Sequence, residues 1–189
     1  GKSAMMQSNQ PQISDHRLLR NLALISAILV FILIVSGGVV SATGSTGACP
    51  DWPTCLGKWT PPKSQNHLVD YAHRAATLIA APSLFVSALL AWKEHRRSQL
   101  ILTSITTALA LFIIQIGLGA VVARSAVPGI RPWLTPIHLL LSLFIMSAAL
   151  VASARSFYPD RAQFKFLSPF SRLSLVAAGM LLLLLVSGA

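Results

Sequence analysis

The residues of this sequence best suited to chemistry are two histidines, His73 and His138, and two cysteines, Cys49 and Cys55. A neutral imidazole binds transition metals through a ring nitrogen, and paired cysteines form disulfides or exchange electrons with other thiols. Five residues separate the two cysteines, which matches neither the C-x-x-C pairs of zinc sites nor those of thioredoxin-like proteins. What these side chains do depends on the elements that carry them.

The composition places those elements in a membrane. Of the 189 residues, 54% are hydrophobic and only 11% are charged, which no water-soluble domain of this size requires. Two cysteines, with 11 glycines and 11 prolines, exclude disulfide-rich secreted proteins, collagens and disordered chains. A net charge of +10 would suggest nucleic-acid binding in a soluble protein, but basic residues in a membrane protein reflect topology. We therefore predict a lipid environment and no nucleic-acid partner.

A helix needs roughly 20 apolar residues to cross a hydrocarbon layer about 30 Å thick. The sequence has four complete uncharged windows of this kind and a fifth that ends with the chain: 21–41, 75–92, 100–123, 133–154 and 173–189. We predict an all-α polytopic membrane protein, with a four-helix transmembrane bundle in residues 15–155, a cytoplasmic linker at 156–171 and a truncated fifth helix at 172–189. Residues 1–14 are polar and without periodicity, so we expect them to be disordered or to derive from cloning.

Lysine and arginine are distributed unequally over the two sides of the spans. The larger group lies on the side of the N-terminus, and the smaller group comprises Lys58, Lys63, Arg74, Arg124 and Arg131. The positive-inside rule then predicts a cytoplasmic N-terminus, with segments 42–74 and 124–132 outside.

The outer loop at 42–70 contains both cysteines. If the membrane is the bacterial plasma membrane, this loop lies in an oxidising compartment, and we expect Cys49 and Cys55 to form a disulfide. The simpler interpretation is a purely structural bridge. The alternative is a redox-active pair that exchanges with an outside thiol carrier.

Both histidines lie near the outer ends of their spans. His73 follows Asp70-Tyr71-Ala72 at the start of the second span, and His138 lies in the first turns of the fourth. Both helices run inward from outside, so the two imidazoles should have the same depth. Two such histidines on different helices of a four-helix bundle suit axial ligation of one haem iron. The alternative is that each histidine hydrogen-bonds to a neighbouring helix.

Charged side chains surround this predicted site. Arg74, Arg124 and Arg131 are near the outer surface and could bind the anionic haem propionates, although arginine at a helix end also extends to lipid headgroups. Asp70 lies three residues before His73, on the same helix face. It could pair with Arg74, orient the His73 ring or act on a substrate.

The end of the chain repeats part of its beginning. Val35-Ser36-Gly37, at the outer end of the first span, recurs as Val186-Ser187-Gly188 in the fifth, within segments that share further leucine and alanine positions. Internal repeats are common in membrane folds. We interpret the fifth helix as the first helix of a second four-helix unit.

Taken together, these residues resemble the haem A synthase family, in the bacterial form with a paired-cysteine loop. The resemblance runs from about Leu22 onward. It rests on Gly37-Gly38, on TGSTGACPDWPTC at 43–55, on Tyr71-Ala72-His73-Arg74, on Gln115 with Gly119-Ala120, and on His138-Leu139.

The resemblance implies an oxidoreductase that oxidises a methyl group of haem O to a formyl group, giving haem A for cytochrome c oxidase. It implies two related four-helix halves. His73 and His138 would ligate the substrate haem O in the first half, and haem B would be a cofactor of the second. Many members have a glutamate proposed to act in catalysis where this sequence has Asp70, whose side chain is one methylene shorter. Either Asp70 keeps that role with a shifted geometry, or this half is a binding site only. The implied partners are haem O synthase, oxidase assembly factors and membrane lipid.

Two other functions fit part of the pattern. A membrane protein for haem binding, haem delivery or electron transfer would need the same histidines but would make no haem A. A quinone-linked thiol oxidase would need reactive cysteine pairs in both outer loops, and only one loop here contains cysteine.

Overall fold

The computed structural model describes residues 10–94, 98–124 and 131–158. Within these ranges the regular secondary structure consists of four helices, with no β-strand. The helices are α1 (Gln10–Ala42), α2 (Gln65–Glu94), α3 (Gln99–Arg124) and α4 (Arg131–Phe157). Each contains a segment long and apolar enough to cross a membrane. The prediction of an all-α polytopic membrane protein is therefore confirmed. The predicted fifth helix and most of the predicted linker lie outside the described residues.

The helices extend beyond the apolar windows. The connection between α1 and α2 is residues 43–64, shorter than the predicted outer loop, because α2 already begins at Gln65. Helix α1 begins at Gln10, within the segment 1–14 that we expected to be disordered or to derive from cloning. Pro11 is compatible with that start, because the backbone N–H groups of the first helical turn have no acceptor within the helix, so proline loses no hydrogen bond there. Hydropathy detects only the part of a helix that suits hydrocarbon, whereas the backbone hydrogen bonds continue past it.

The four helices form an antiparallel bundle in which each packs on two neighbours. Contacts join α1 to α2, α2 to α3, α3 to α4 and α4 back to α1, and the α1–α2 and α3–α4 pairs are the most extensive. Helices α2 and α4 therefore lie diagonally opposite each other. Because α2 carries His73 and α4 carries His138, the fold places the two histidines across the bundle axis.

Small residues let the helices approach closely in the half of the bundle away from the 43–64 connection. The core there includes fully buried alanines from three helices: Ala88, Ala91, Ala108 and Ala152. Ser26 of α1 hydrogen-bonds to Ser83 and Ser87 of α2, at 2.7 Å and 3.2 Å between hydroxyl oxygens. Small side chains and interhelical hydroxyl bonds are the usual means of helix association in lipid. Large apolar side chains point outward, among them Phe31, Ile79, Ile113 and Phe144.

Residues 43–64, here called the Cys loop, cover one end of the bundle, which we call the loop end. A disulfide joins Cys49 and Cys55, whose Cα atoms are 4.9 Å apart, so the predicted pairing is confirmed. Gly47 anchors the loop to the end of α3: its φ is +73°, and a Cβ there would lie 2.3 Å from the carbonyl oxygen of Ala123. A residue with a side chain could not make this approach.

Candidate functional site

His73 is held by a hydrogen bond between its ring nitrogen Nδ1 and a serine of α1. It lies in the third turn of α2, half-buried, with Nδ1 2.8 Å from the hydroxyl oxygen of Ser36 on α1. The Ser36 hydroxyl is also 3.0 Å from the carbonyl oxygen of Leu33, which can only accept. In the tautomer of His73 that carries a proton on Nδ1, the ring donates to Ser36 and Ser36 donates to Leu33. That tautomer leaves the lone pair of Nε2 free, as a metal ligand requires.

A glycine on the neighbouring helix contacts each histidine ring. A Cβ on Gly37 of α1 would lie 3.2 Å from Cε1 of His73, and a Cβ on Gly119 of α3 would lie 3.1 Å from Cε1 of His138. Both separations are tighter than ordinary van der Waals contact. The absence of a side chain thus allows each imidazole to lie against a helix backbone. The same arrangement occurs twice, once between α1 and α2 and once between α3 and α4.

Two polar residues, Gln115 of α3 and Ser142 of α4, lie beside His138. Its carbonyl oxygen accepts hydrogen bonds from Nε2 of Gln115, at 2.8 Å, and from the hydroxyl of Ser142, at 2.9 Å. Gln115 also donates to the Ser142 hydroxyl. The Nδ1 atom of His138 and the Oε1 atom of Gln115 are buried without a hydrogen-bond partner among the described residues. Gln115 and Gly119, which form one motif of the family resemblance, therefore both lie beside His138, which belongs to another.

The structure brings the two histidines together at a similar depth. Helices α2 and α4 both begin at the loop end, and His73 and His138 each lie about two turns from those beginnings. The two side chains are close enough to interact electrostatically. The helices that carry them are diagonal, so they do not pack directly on each other along their length.

Asp70 and Arg74 form a buried ion pair that holds the Cys loop. They are 4% and 7% exposed, and the Asp70 carboxylate accepts two bonds from Arg74, from Nε at 3.1 Å and from Nη2 at 3.0 Å. The same carboxylate accepts the backbone N–H of Cys49 at 3.0 Å. Arg74 donates to the carbonyl oxygens of Cys49, at 2.8 Å, and of Asp51. Every nitrogen of the guanidinium thus has an acceptor in this cluster.

The other two arginines of the predicted site are Arg124 and Arg131. Arg124 is exposed at the C-terminal end of α3, on the loop end of the bundle. Arg131 begins α4, and its side chain lies outside the described part of the structure. Of the three arginines predicted near a haem propionate, Arg74 is therefore engaged with the Cys loop, and Arg124 is exposed.

The Cys loop is also ordered within itself. Asp51 accepts hydrogen bonds from the Thr54 hydroxyl and, at 3.0 Å, from the backbone N–H of Gly57. The bond from Thr54 is the main cause that lowers the pKa of Asp51 below its ordinary 3.8, so this carboxyl stays ionised at neutral pH. Cys55 and Lys58 exchange two backbone hydrogen bonds around a turn that contains Gly57, whose φ is +70°.

The sequence analysis missed the contact between Ser36 and His73. The available signal was the Val-Ser-Gly segment, which recurs at 186–188 and places a serine directly before the glycine that contacts the ring. A polar residue that repeats inside an apolar span needs a partner, and here the partner is an imidazole 37 positions later.

A four-helix membrane bundle with a histidine pair across its axis is the class of protein that these observations define. The profile of the cytochrome oxidase assembly protein family matches residues 20–189, and the chain belongs to this family. The resemblance to haem A synthases drawn from the sequence motifs is thereby confirmed.

Individual relatives agree with this assignment. The chain is 36% identical to a protohaem IX farnesyltransferase of Halobacterium salinarum over 129 residues, which are 68% of this chain and 27% of that protein. It is 31% identical to a haem A synthase of Alkalihalophilus pseudofirmus over 111 residues, 57% of this chain and 37% of that enzyme. It is 24% identical to one of Bacillus pumilus over 156 residues, 80% and 49% of the two chains. The chain thus spans between about a quarter and half of these curated relatives. No solved structure matches it.

Proposed function

We propose that this chain is the haem O-binding half of a haem A synthase, an oxidoreductase that converts one methyl group of haem O to a formyl group during assembly of cytochrome c oxidase. The observation that carries the proposal is the hydrogen bond between His73 Nδ1 and Ser36. It orients the ring and uses Nδ1 rather than Nε2, on a helix diagonal to the one that carries His138. The haem A synthases among the relatives, and the family assignment, support the same reaction.

The residues of the site fit a haem. A porphyrin supplies the equatorial nitrogens of its iron, so the protein has to provide only the two axial ligands. His73 and His138 are our candidates, and Gly37 and Gly119 leave each ring room against a neighbouring helix. Haem iron supplies the redox chemistry by which a ring methyl is oxidised. His73 and His138 would hold the haem, and Ser36 fixes the ring orientation of His73.

For the charged residues, the geometry favours different roles. Of the three roles considered for Asp70, pairing with Arg74 is the one whose contacts are present. A direct catalytic role would require the carboxylate to leave three hydrogen bonds, so we assign Asp70 to the ordering of the site. We propose Arg124, with Arg131, as the side chains for the haem propionates, because arginine pairs well with carboxylates.

The supply of haem O indicates a partner. A segment similar to this chain makes up 27% of a protein named protohaem IX farnesyltransferase. Such an enzyme attaches a farnesyl group to protohaem IX, and we propose that an enzyme of this kind delivers its product directly to this bundle. We further propose a bacterial plasma membrane with the N-terminus in the cytoplasm and the loop end outside, as the distribution of lysine and arginine predicts. Haem B would be bound by a second half.

The test is to express the full-length protein with a source of haem O and to identify the extracted haems by chromatography and mass spectrometry. The proposal predicts haem A from the wild-type protein and none from a His138→Ala variant. Gly117→Ala is a suitable control, since a Cβ at that position has nothing within 4 Å. Bound haem without any haem A would instead identify a haem-delivery or electron-transfer protein.

A further inference from the structure

We propose that Asp70 and Arg74 are a positioning pair that couples the Cys49–Cys55 disulfide to the histidine site. The buried ion pair keeps the Cys loop closed on the bundle. A movement of the loop would change the position of His73, because His73 lies between the two charged residues on α2. The coupling to His73 rests on the proposed function, because it concerns His73 as a haem ligand. The restraint of the Cys loop by the ion pair does not.

The pair holds one half of the disulfide by its backbone. Asp70 accepts the N–H of Cys49, and Arg74 donates to the carbonyl oxygen of the same residue. Arg74 also binds the carbonyl of Asp51. These are charge-assisted bonds in a site that is nearly closed to water, where such bonds are at their strongest. Together, the side chains of Asp70 and Arg74 restrain residues 49–51 of the Cys loop.

The same contacts keep solvent from the disulfide. Cys49 and Cys55 are 3% and 1% exposed. Thiol–disulfide exchange requires a thiolate to approach one sulfur along the S–S axis, so segment 49–55 has to move before an outside dithiol can react. That movement breaks the bonds from Cys49 to Asp70 and Arg74. The ion pair should therefore control the rate at which the disulfide is reduced.

A rigid connection links this pair to the histidine. Asp70 is one helical turn before His73 and Arg74 follows it directly, so a shift of either residue changes the position of the imidazole. The His73 ring is tied to Ser36 and Gly37 of α1, and the Cys loop begins where α1 ends. The start of α2, the end of α1 and the loop thus form one connected body. Because coupling between two sites is reciprocal, ligation of His73 should in turn restrain the loop.

The redox step is an ordinary exchange with an external dithiol. A thiolate of the dithiol attacks one sulfur of the Cys49–Cys55 bond and releases the other as a thiolate. The second thiol of the reagent then displaces the remaining protein sulfur. Two electrons pass to the protein, which takes up two protons as two thiols, and the reagent becomes a disulfide. Reduction frees the loop, and the Arg74 donors that bound it become available to an anionic group such as a propionate.

The experiment measures the rate of reduction by dithiothreitol in the purified full-length protein. Free thiols are tagged with a maleimide of high mass and counted by gel shift, with and without added haemin. We expect at least a tenfold faster reduction in Arg74→Lys and in Asp70→Asn, because each variant loses a charge-assisted bond to Cys49. Lys63→Gln is the matched control, since Lys63 is an exposed basic residue of the same loop. Its rate should equal that of the wild-type protein.

Haemin adds the second measurement. Reduction of the wild-type disulfide should slow when haemin is bound, and this slowing should disappear in Arg74→Lys. Equal rates in Arg74→Lys, Asp70→Asn and the control would overturn the restraint of the loop. An unchanged effect of haemin in Arg74→Lys would overturn the coupling. If haemin does not bind to the wild-type protein, the proposed function fails, while the haemin-free rates still test the ion pair.

A measurement on the wild-type protein covers the case in which both variants misfold. Hydrogen exchange of the peptide that contains Cys49 should slow when haemin binds, because its N–H is bonded to Asp70. Exchange that is the same with and without bound haemin would contradict the coupling.

Discussion

Replacing Gly37 with alanine tests whether the His73 ring has to lie against α1. The new Cβ would be 3.2 Å from Cε1 of His73, so the ring must move by a few tenths of an ångström and its bond to Ser36 is disturbed. Gly38→Ala is the matched control: Gly38 is the next residue of the same helix, and its Cβ would have nothing within 4 Å. Both changes raise helix propensity by about 1 kcal/mol, so their difference isolates the contact with His73.

The size of the effect follows from the crowding of one contact. Inserting a methyl group into a packed site destabilises it by about 1–3 kcal/mol. If that energy is lost from the haem-bound state, the haem Kd rises roughly 5- to 150-fold, since about 1.4 kcal/mol corresponds to a factor of ten. Gly37→Ala should therefore bind haemin more weakly than Gly38→Ala by this ratio.

The assay is a haemin titration of the protein in detergent, followed by Soret absorbance and by the low-spin ferric spectrum. The second glycine offers an independent repeat, because Gly119→Ala crowds His138 while Gly117→Ala contacts nothing. If Gly37→Ala and Gly38→Ala bind haemin with the same affinity and the same spectrum, the close contact of the ring with α1 has no part in haem binding.

The other predictions concern the ligands, the disulfide and the anchoring of the loop. His73→Ala and His138→Ala should each abolish the low-spin haem spectrum of this bundle, and a spectrum retained in both variants would rule out ligation by this pair. Alkylation of the denatured, unreduced protein should label neither cysteine, as judged by intact mass, whereas labelling of both would show that no disulfide forms. Gly47→Ala should lower the midpoint of thermal unfolding and speed proteolysis of the Cys loop, because the new Cβ would clash with the carbonyl oxygen of Ala123. Gly44→Ala is the control, since Gly44 also has a positive φ but a Cβ there would have nothing within 4 Å. Equal effects of the two changes would contradict the clash with Ala123 as the cause.

The membrane spans could be predicted from the sequence because a membrane-spanning helix depends only on the apolar residues within its own segment. A stretch of roughly 20 apolar residues satisfies its backbone only as a helix in lipid, whatever it packs against. The true helix ends were not predictable in this way. The polar turns from Gln65 to Asp70 continue α2 outside the apolar window, and their helical state depends on contacts such as that of Asp70 with Arg74 and the Cys loop.

The depth of the histidines also followed from the sequence. Alternating spans begin on the same side of the membrane, so two residues near the starts of the second and fourth spans share a level. Which helices are diagonal did not follow, because the order of helices around a bundle depends on side-chain packing between segments far apart in the chain. That order places His73 and His138 across the axis and brings Gly37 and Gly119 to their rings.

The sequence by itself therefore determined the membrane location, the number of spans in the bundle, the likeness to haem A synthases and the identity of the candidate ligands. Only the tertiary structure decided how those residues are used. Ser36 orients the ring of His73 through a 2.8 Å contact between two helices, and Asp70 with Arg74 holds Cys49 from 21 and 25 positions away. The physical reason is that composition and periodicity act within one helix, whereas a hydrogen bond between helices exists only where packing has brought donor and acceptor within about 3 Å.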